Sequence, residues 1–487
     1  MRMHTNTPQP TRLLLMLAGL GLAGCAAVGP DYVPPATDVP AGWSRLDTAS
    51  QPVTRADAPG DLSQWWQRLN DPLLSQLIAE ALQASPDLRS AQARLREARA
   101  RRTVAAAARF PSVAASGNAR RSRSSEETGS GDSRNAFSAG FDASWEIDMF
   151  GGVRRGIEAA EADLESTVAN LDNTRVSLAS EVALNYVELR ALQTRLGIAR
   201  ANLASQSETL QLTDWRAQAG LVSSQDVEQA RSNREQTRAQ IPSLETSLAE
   251  SEHGLDSLLG RAPGALHARL AATGELPAVP DQIAVGIPAD TLRQRPDVRA
   301  AERKLAAETA RVGVAEAARY PSFTLSGSIG LEALTLGALG NSGAATSSLL
   351  AGIASPIFDA GRLGAQVEIQ DAVREQAQLT YEQAVLAALQ EVENALVALA
   401  RNRERVEALA IAAESARNAA QLAQQRYSAG LIDFQSVLDT ERSVLSAEDS
   451  LASSRAGGVL ALIRLYKALG GGWSHATEAS PLSKDSP

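Results

Sequence analysis

The side chain whose position most clearly indicates chemistry is the thiol of Cys25, the single cysteine of the chain. Arg12 is followed by an apolar run over residues 13–17, and small residues then lead to the cysteine. A basic start, a short apolar run and small residues before a cut site are typical of a secretory signal peptide, whereas a spanning helix needs about 20 apolar residues. The sequence therefore predicts a signal peptide over residues 1–24, with Cys25 first in the mature chain.

The residues Leu22-Ala23-Gly24-Cys25 resemble the lipobox of bacterial lipoproteins, in which the thiol is acylated and the cut falls just before the cysteine. An ordinary signal peptide with an incidental cysteine is the alternative, and a lone cysteine at the cut position favours the lipobox. Ala26 follows instead of an aspartate, which by resemblance to bacterial lipoproteins implies sorting to the outer membrane. We expect no cofactor apart from this covalent lipid.

Several other kinds of chemistry are not indicated by the sequence. The four histidines are scattered and cannot form a recognisable metal site with one cysteine. There is no Gly-Lys-Ser/Thr phosphate loop, and no Ser/His/Asp order or paired carboxylates stand in a plausible cleft. The net charge of -9 without a basic block argues against nucleic acid as a partner. We therefore expect that the protein is not an enzyme.

One stretch of the chain occurs twice, at a constant offset of 210 residues. Residues 216–227 contain Gly220-Leu221, and residues 426–437 contain Gly430-Leu431, each time within a long helical pattern. Glycine adopts the left-handed conformation that ends a helix at little cost, and a new helical pattern follows in both copies. Each copy is therefore predicted to be the exposed tip of a helical hairpin.

The same offset relates a much longer part of the chain. Pro86-Asp87 corresponds to Pro296-Asp297, residues 107–112 correspond to 317–322, and Gly260 corresponds to Gly470. One register over this length indicates the duplication of a single unit. The unit is predicted to contain a helix, two strands, a long helix, the tip and a return helix.

The long helical patterns have a seven-residue period that is typical of coiled coils. In the first copy the pattern extends over about 65 residues, which as a helix would span roughly 100 Å. Pro242 is expected to kink or interrupt the return helix, which runs to about residue 259. The heptad positions are, in the two copies, Val182, Leu189, Leu196, Leu203, Leu210 and Val392, Leu399, Val406, Ala413, Ala420.

Between the first helix and the long helix of each copy, the period changes to two. Residues 137–147 alternate between apolar and polar side chains, and the predicted strands are about 112–123, 136–148, 322–332 and 348–358. Such strands suit either a half-buried sheet or the wall of a membrane barrel. Four strands are too few to close a barrel, for which about eight are needed, so several copies would each contribute a sector.

An ordered set of motifs identifies a resemblance to the TolC-like outer-membrane efflux proteins, and within them to the OprM-like or NodT-like lipoprotein branch. The set covers nearly the whole mature chain and combines the lipobox, the two Ala-Gly-Leu tips, and the following motifs: Gly29-Pro30-Asp31-Tyr32, Trp65-Trp66, Asp71-Pro72-Leu73-Leu74, and the paired Ala-Ala-Arg-aromatic-Pro-Ser segments ending at Ser112 and Ser322.

The resemblance implies a homotrimer with a twelve-stranded β-barrel in the outer membrane, continued by a periplasmic α-helical coiled-coil barrel. It also implies a function: the outer-membrane channel of a tripartite efflux system, a passive and gated exit duct for small molecules. An inner-membrane pump, of the RND type, would deliver these molecules through a periplasmic membrane-fusion adaptor. The protein would be lipid-anchored in the outer membrane of a Gram-negative bacterium and would extend into the periplasm.

Site residues are carried over from the family only at matching positions. The resemblance implies that Gly220, Leu221, Gly430 and Leu431 contact the adaptor at the periplasmic tips. It further implies the gate residues, which are Asp226, Tyr427 and Asp439. Asp226 and Tyr427 match a polar pair that holds the mouth shut, and Asp439 matches one of two acids that ring the constriction. The alternative is ordinary helix capping and solvated surface acids.

The chain departs from TolC itself at two gate positions. Ser436 stands where the second ring acid is found, and Ile432 stands where TolC has a gate arginine. A weaker or differently built gate is therefore expected. The expected domains are 1–24 signal peptide, 25–60 lipidated tether without regular structure, 61–264 first repeat, 265–290 linker, 291–474 second repeat and 475–487 polar tail.

Two alternatives to the efflux channel remain open. The same architecture could be the exit duct of a type I protein-secretion system, although the lipobox and the Gly29-Pro30-Asp31-Tyr32 start favour the efflux branch. The chain could instead be a lipid-anchored periplasmic coiled-coil spacer without a pore. The alternating strands argue against the spacer, which would have no use for a lipid-facing β surface.

Overall fold

The computed structural model describes residues 27–36, 39–44, 54–55, 62–280 and 283–473. Cys25, the predicted signal peptide and the predicted tail 475–487 lie outside these residues. The helices are α1 Pro72–Ala84, α2 Pro86–Ala107, α3 Gly152–Gln218, α4 Ser224–Leu258, α5 His267–Leu270, α6 Pro288–Gln294, α7 Pro296–Ala317, α8 Arg362–Ser428 and α9 Phe434–Ala468. The strands are β1 Thr54–Arg55, β2 Ser112–Arg123, β3 Ser133–Ile147, β4 Ile283–Ala284, β5 Ser322–Ala333 and β6 Ala345–Ala354.

The duplication that the sequence predicts is visible in the lengths of matching helices. Helices α2 and α7 have 22 residues each, α3 and α8 have 67 each, and α4 and α9 have 35 each. In each half the order is the same: a helix, two strands, a long helix, a turn and a return helix. The mainly helical, internally duplicated fold is therefore confirmed.

The chain divides into two compact units, and the first consists of residues 27–36, 94–168 and 300–382 among those described. Its sheet has the strand order β2-β3-β5-β6, with every neighbouring pair antiparallel. The register places apolar residues of neighbouring strands opposite each other, as Phe141 and Ile329 are, and polar residues likewise, as Asp142 and Ser328 are. One face of the sheet is therefore apolar and the other is polar.

The apolar side chains of this sheet are bare in the single chain. Phe141 is 58% exposed, Ile329 65%, Leu349 79% and Ile353 71%. Within the described residues, β2 and β6 each have a strand on one side only. The single chain therefore leaves uncovered both an apolar face and two strand edges, features that usually become covered when copies assemble.

The N-terminal segment of this unit is held by specific contacts, although the sequence predicts a tether there. The Arg155 guanidinium donates to the backbone carbonyl oxygens of Val28 and Gly29 at 3.1 and 3.2 Å, and to Asp31 Oδ1 at 2.7 Å. The Tyr32 hydroxyl donates to Glu302 Oε1 at 3.0 Å. Residues 27–36 have no helix or strand, as expected, but side chains from both repeats fix their path.

The second unit consists of residues 39–44, 54–55, 62–93, 169–280, 283–299 and 383–473 among those described. The heptad positions form much of its interior, since Val182, Leu189 and Val392 are fully buried and Leu399 is 5% exposed. Helix α1 begins at Pro72, and the side chain of the preceding Asp71 caps it by accepting from the Leu74 amide at 2.9 Å. Periodicity and capping thus position the helices as the sequence indicates.

Two prolines and one short strand pair determine local details of this unit. Helices α1 and α2 are separated at Ser85, whose extended backbone (ψ 131°) is the conformation favoured before a proline such as Pro86. Helix α4 continues through Pro242 without interruption, because this proline is exposed and water can satisfy the freed carbonyl group. Strand β1 pairs in parallel with β4, so the predicted tether and linker both contain a short strand.

Candidate functional site

The candidate site is the pair of turns between the long helices and their return helices, which we call tip 1 (residues 216–227) and tip 2 (residues 426–437). Both turns close in the same way. Gly220 and Gly430 have φ angles of 73° and 74°, and the amides of Leu221 and Leu431 donate five residues back at 2.8 and 2.9 Å. This is the Schellman motif, which uses an αL glycine to satisfy the last carbonyl groups of a helix.

Each tip exposes one leucine among polar side chains. Leu221 is 73% exposed and Leu431 is 71% exposed, and their contact with an adaptor stays a prediction. Trp215, one residue before tip 1, is also 59% exposed. This tryptophan was not among the predicted tip residues, although a large aromatic residue near a turn glycine is a signal that could have identified it.

The interior of the two tips is one apolar cluster to which both hairpins contribute. The Tyr427 and Phe434 rings lie 5.4 Å apart between centroids at an angle of 50°, and each residue is only 4% exposed. Ile432 packs against the same cluster. The position that carries an arginine in TolC therefore contributes here to apolar packing. The buried members are Leu210, Val227, Ala230, Ala423, Tyr427, Phe434, Val437 and Leu438.

Arg216 joins tip 1 to the end of helix α8 in the other hairpin. Its Nη1 donates to the carbonyl oxygen of Tyr427 and its Nη2 to that of Ser428, each at 3.0 Å, and its Cζ lies 4.4 Å from the centroid of the Tyr427 ring. The last carbonyl groups of a helix lack intrahelical donors and carry the negative end of its dipole, so a planar cation fits there well. No pattern in the sequence predicted this contact.

Asp226 acts locally in the capping of α4. Its Oδ2 accepts from the Ser223 amide at 3.0 Å and from the Ser223 hydroxyl at 2.9 Å, while the Ser223 hydroxyl accepts from the Asp226 amide. This is a reciprocal capping box at the start of a helix. In a single chain the Asp226 carboxylate is therefore engaged with its own hairpin.

The structure does not pair Asp226 with Tyr427 in the single chain. The Tyr427 hydroxyl is buried and has no hydrogen-bond partner among the described residues. A buried hydroxyl without a partner costs about 1–3 kcal/mol. A hydrogen bond to this hydroxyl that formed on assembly would therefore stabilise the protein. The gate role that the resemblance implies for Tyr427 stays a prediction.

Asp439 lies on α9 beyond tip 2, and its side chain is 60% exposed. Its Oδ1 accepts from the side-chain Nε2 of Gln435 at 2.9 Å and lies 3.7 Å from Arg442 Nη1. Ser436 serves the helix cap, because its amide donates to Asp433 Oδ1 at 2.9 Å. The exposed carboxylate of Asp439 is compatible with an acidic ring among copies, a role that stays a prediction.

A buried carboxyl group near tip 2 was not anticipated. Glu441 is 8% exposed, and its Oε1 accepts from the Thr209 hydroxyl at 2.6 Å, while its Oε2 is buried without a partner among the described residues. Burial raises the pKa of this carboxyl, although the bond from Thr209 partly opposes the shift. No group of three or more His, Cys, Asp or Glu within the described ranges is arranged to hold a metal ion.

Comparisons with known proteins agree with this architecture. The chain is 33% identical to Nodulation protein T of Rhizobium leguminosarum bv. trifolii, covering 96% of this chain and 99% of the relative. It is 34% identical to the pyoverdine export outer membrane protein OpmQ of Pseudomonas putida, covering 95% and 98% respectively. The solved structure of the outer-membrane channel OprN matches with a TM-score of 0.86 and 38% identity, covering 92% of this chain and 99% of that chain.

Two duplicated helical hairpins and an amphipathic sheet, with this likeness to a solved channel, define the class of TolC-like outer-membrane channels. The family of outer membrane efflux proteins matches residues 77–261 and 287–471, one match for each repeat. The chain belongs to this family and is an efflux channel protein of the outer membrane. The resemblance to the NodT-like branch is thereby confirmed. No helix in the described part of the chain is long and apolar enough to cross a membrane.

Proposed function

We propose that the protein is the exit duct of a tripartite efflux system, through which small molecules delivered from the inner membrane leave the cell. Membership of the efflux family supports this function. So does similarity to OpmQ, which is described as a pyoverdine export protein, and to the channel OprN. In this proposal the duct is passive: an inner-membrane pump supplies the energy, and the protein itself catalyses no reaction.

The observation that carries the proposal is the four-stranded sheet with one apolar face and two open edges. Open edges with bare apolar side chains are unstable in water and bind further strands. Three copies would supply twelve strands, enough to close a membrane barrel with its apolar face towards lipid. The same assembly would place six helical hairpins side by side around one passage.

The two tips are the proposed contact with the periplasmic adaptor of an RND-type pump. Leu221 and Leu431 are exposed at turns whose backbone is fixed by Gly220 and Gly430, so a partner meets a preformed apolar surface. Asp226, Tyr427 and Asp439 would act in the gate only once copies meet around the passage. A lipid on Cys25 would add a second membrane anchor.

The test is negative-stain electron microscopy of the full chain purified from outer membranes in mild detergent. We expect threefold particles with a detergent-covered head and a tube on the order of 100 Å long. Thin rods without a head would overturn the duct and support the spacer. If threefold particles form, deletion followed by assays of solute resistance and of protein export would distinguish efflux from type I secretion.

A further inference from the structure

The repeat makes a specific prediction about Arg426. The offset of 210 residues relates Arg426 to Arg216, and it relates Tyr427 and Ser428 to Ala217 and Gln218. The turns after the two arginines have the same hydrogen bonds, from Gly220 to the Ala217 carbonyl at 2.9 Å and from Gly430 to the Tyr427 carbonyl at 3.0 Å. Arg426 therefore starts from the same backbone position as Arg216.

The environments of the two arginines differ in the single chain. The Arg216 guanidinium binds two carbonyl oxygens of the other hairpin, whereas the Arg426 side chain is exposed and has no partner among the described residues. A guanidinium with five donors fixed in one plane is well suited to a carbonyl pair at a helix end. The carbonyl groups of Ala217 and Gln218 end α3 and form the equivalent acceptor pair.

We infer that Arg426 donates to the carbonyl oxygens of Ala217 and Gln218 of a neighbouring copy of this chain. The inference rests on the proposed function, because a closed ring of three copies alternates first and second repeats. In such a ring each first tip is followed by a second tip of the same chain, and each second tip by a first tip of the next chain. The arginine contact seen inside the chain is then repeated between chains.

The two contacts differ in one respect that has a functional consequence. Arg216 also lies over the ring of Tyr427, whereas the residue that Arg426 would meet at the equivalent position is Ala217. A cation over an aromatic ring adds stabilisation that an alanine cannot supply. The contact between chains is therefore the weaker of the two, and we expect the boundary between copies to separate before the contact inside each chain.

The test is chemical cross-linking of the full-length protein in outer membranes with a short bis-maleimide. The experimental pair carries Arg426→Cys with Gln218→Cys, and the matched control pair carries Arg216→Cys with Ser428→Cys. We expect the experimental pair to yield covalent products of two and three chains on a denaturing gel. The control pair should yield a single chain of altered mobility, and the Arg426→Cys single variant reports any product that involves Cys25.

The outcomes separate this inference from the proposed function. If native electrophoresis shows a trimer but the experimental pair stays a single chain after cross-linking, the Arg426 contact is wrong and the duct stands. If no trimer forms in the unmodified protein, both fail. If the control pair gives multi-chain products in equal amount, the Arg216 contact also joins different chains. The predicted difference between a contact within a chain and a contact between chains is then overturned.

Discussion

The two tips arise from one duplicated unit and share a backbone, yet they bury different side chains. Tip 2 places Tyr427 and Phe434 in the shared cluster, where tip 1 has Ala217 and the exposed Ser224 at the equivalent positions. In tip 1, Arg216 binds the end of the other hairpin, whereas the equivalent Arg426 of tip 2 has no partner among the described residues. The duplication thus preserved the turn and its arginine, whereas only tip 2 contributes aromatic rings to the shared cluster, and only the arginine of tip 1 has a partner within the chain.

The largest effect on the difference between the two tips is expected from Phe434→Ala. Loss of a nearly fully buried ring from the cluster should destabilise tip 2 by about 3–5 kcal/mol, because the cavity removes contacts with Tyr427 and neighbouring residues. The measurement is hydrogen exchange of peptides that cover the tips, in the assembled protein. Peptides of both hairpins should exchange faster, since the cluster joins them.

The matched control is Ser224→Ala at the equivalent position of tip 1. Ser224 is exposed, so its substitution should leave the exchange of both tips nearly unchanged. Equal acceleration in the two variants would mean that the apolar cluster is not what distinguishes tip 2 from tip 1.

The second prediction concerns the cation of tip 1. Arg216→Ala removes two charge-assisted hydrogen bonds and the contact with the Tyr427 ring, and should destabilise the end of α8 by about 2 kcal/mol. Limited proteolysis at tip 2 should become faster although no residue of that tip has changed. Arg216→Lys keeps the charge and loses the planar fork, so an intermediate rate is expected. Cleavage at the wild-type rate in the alanine variant would contradict the role of Arg216.

Most of the fold could be predicted because it depends on periodic patterns. Heptads indicated the long helices, alternation indicated the four strands of the sheet, and the constant offset related the two halves. The pairing of β1 with β4 could not be predicted, since strands of two residues have no period to detect. Helix capping by Asp226 was expected only as the alternative to a gate role, although Ser223 three residues earlier is a capping-box signal.

The Arg216 contact was missed for a different reason. Its acceptors are backbone carbonyl groups more than 200 residues away, and any residue type supplies a carbonyl, so side-chain patterns contain no information about them. The buried Glu441 was missed because a single acid on a helix is usually solvated. Features that depend on which helices are neighbours in space are those that sequence periodicity does not reveal.

The third prediction uses Glu441, whose equivalent in the first repeat is the exposed Arg231, ion-paired with Glu228. Because burial raises the pKa of Glu441, its stabilising contribution is complete below the unfolded pKa of about 4.3 and is lost as the pH rises through the higher folded value. At neutral pH, Glu441→Gln should therefore stabilise the hairpin by about 1 kcal/mol, because no charge is buried. Thermal unfolding as a function of pH measures this.

The control for this prediction is Arg231→Gln, which removes a surface ion pair and should change stability little. If Glu441→Gln destabilises the protein at neutral pH to the same extent as at pH 4, the Glu441 carboxylate has a partner in the assembled protein and the explanation from burial is wrong.

The fourth prediction concerns the helix caps of the two tips and has the smallest expected effect on stability. Tip 2 is capped by Asp433, and the hydroxyl and amide of Ser436 lower the pKa of this carboxyl by hydrogen bonding to its charged form. Stability from a lowered pKa is present above the unfolded value of about 3.9 and is lost as the pH falls through the folded value. Asp433→Ser, which copies the cap residue of tip 1, should remove this pH dependence and keep the cap.

Pepsin cleavage between residues 430 and 436, followed from about pH 5 to pH 2, measures the difference between the wild type and this variant. Acceleration of the same size in the wild type and in the variant would show that another carboxyl controls the fraying of tip 2. Because Asp433 is exposed and screened by water, the effect should be smaller than that of Glu441.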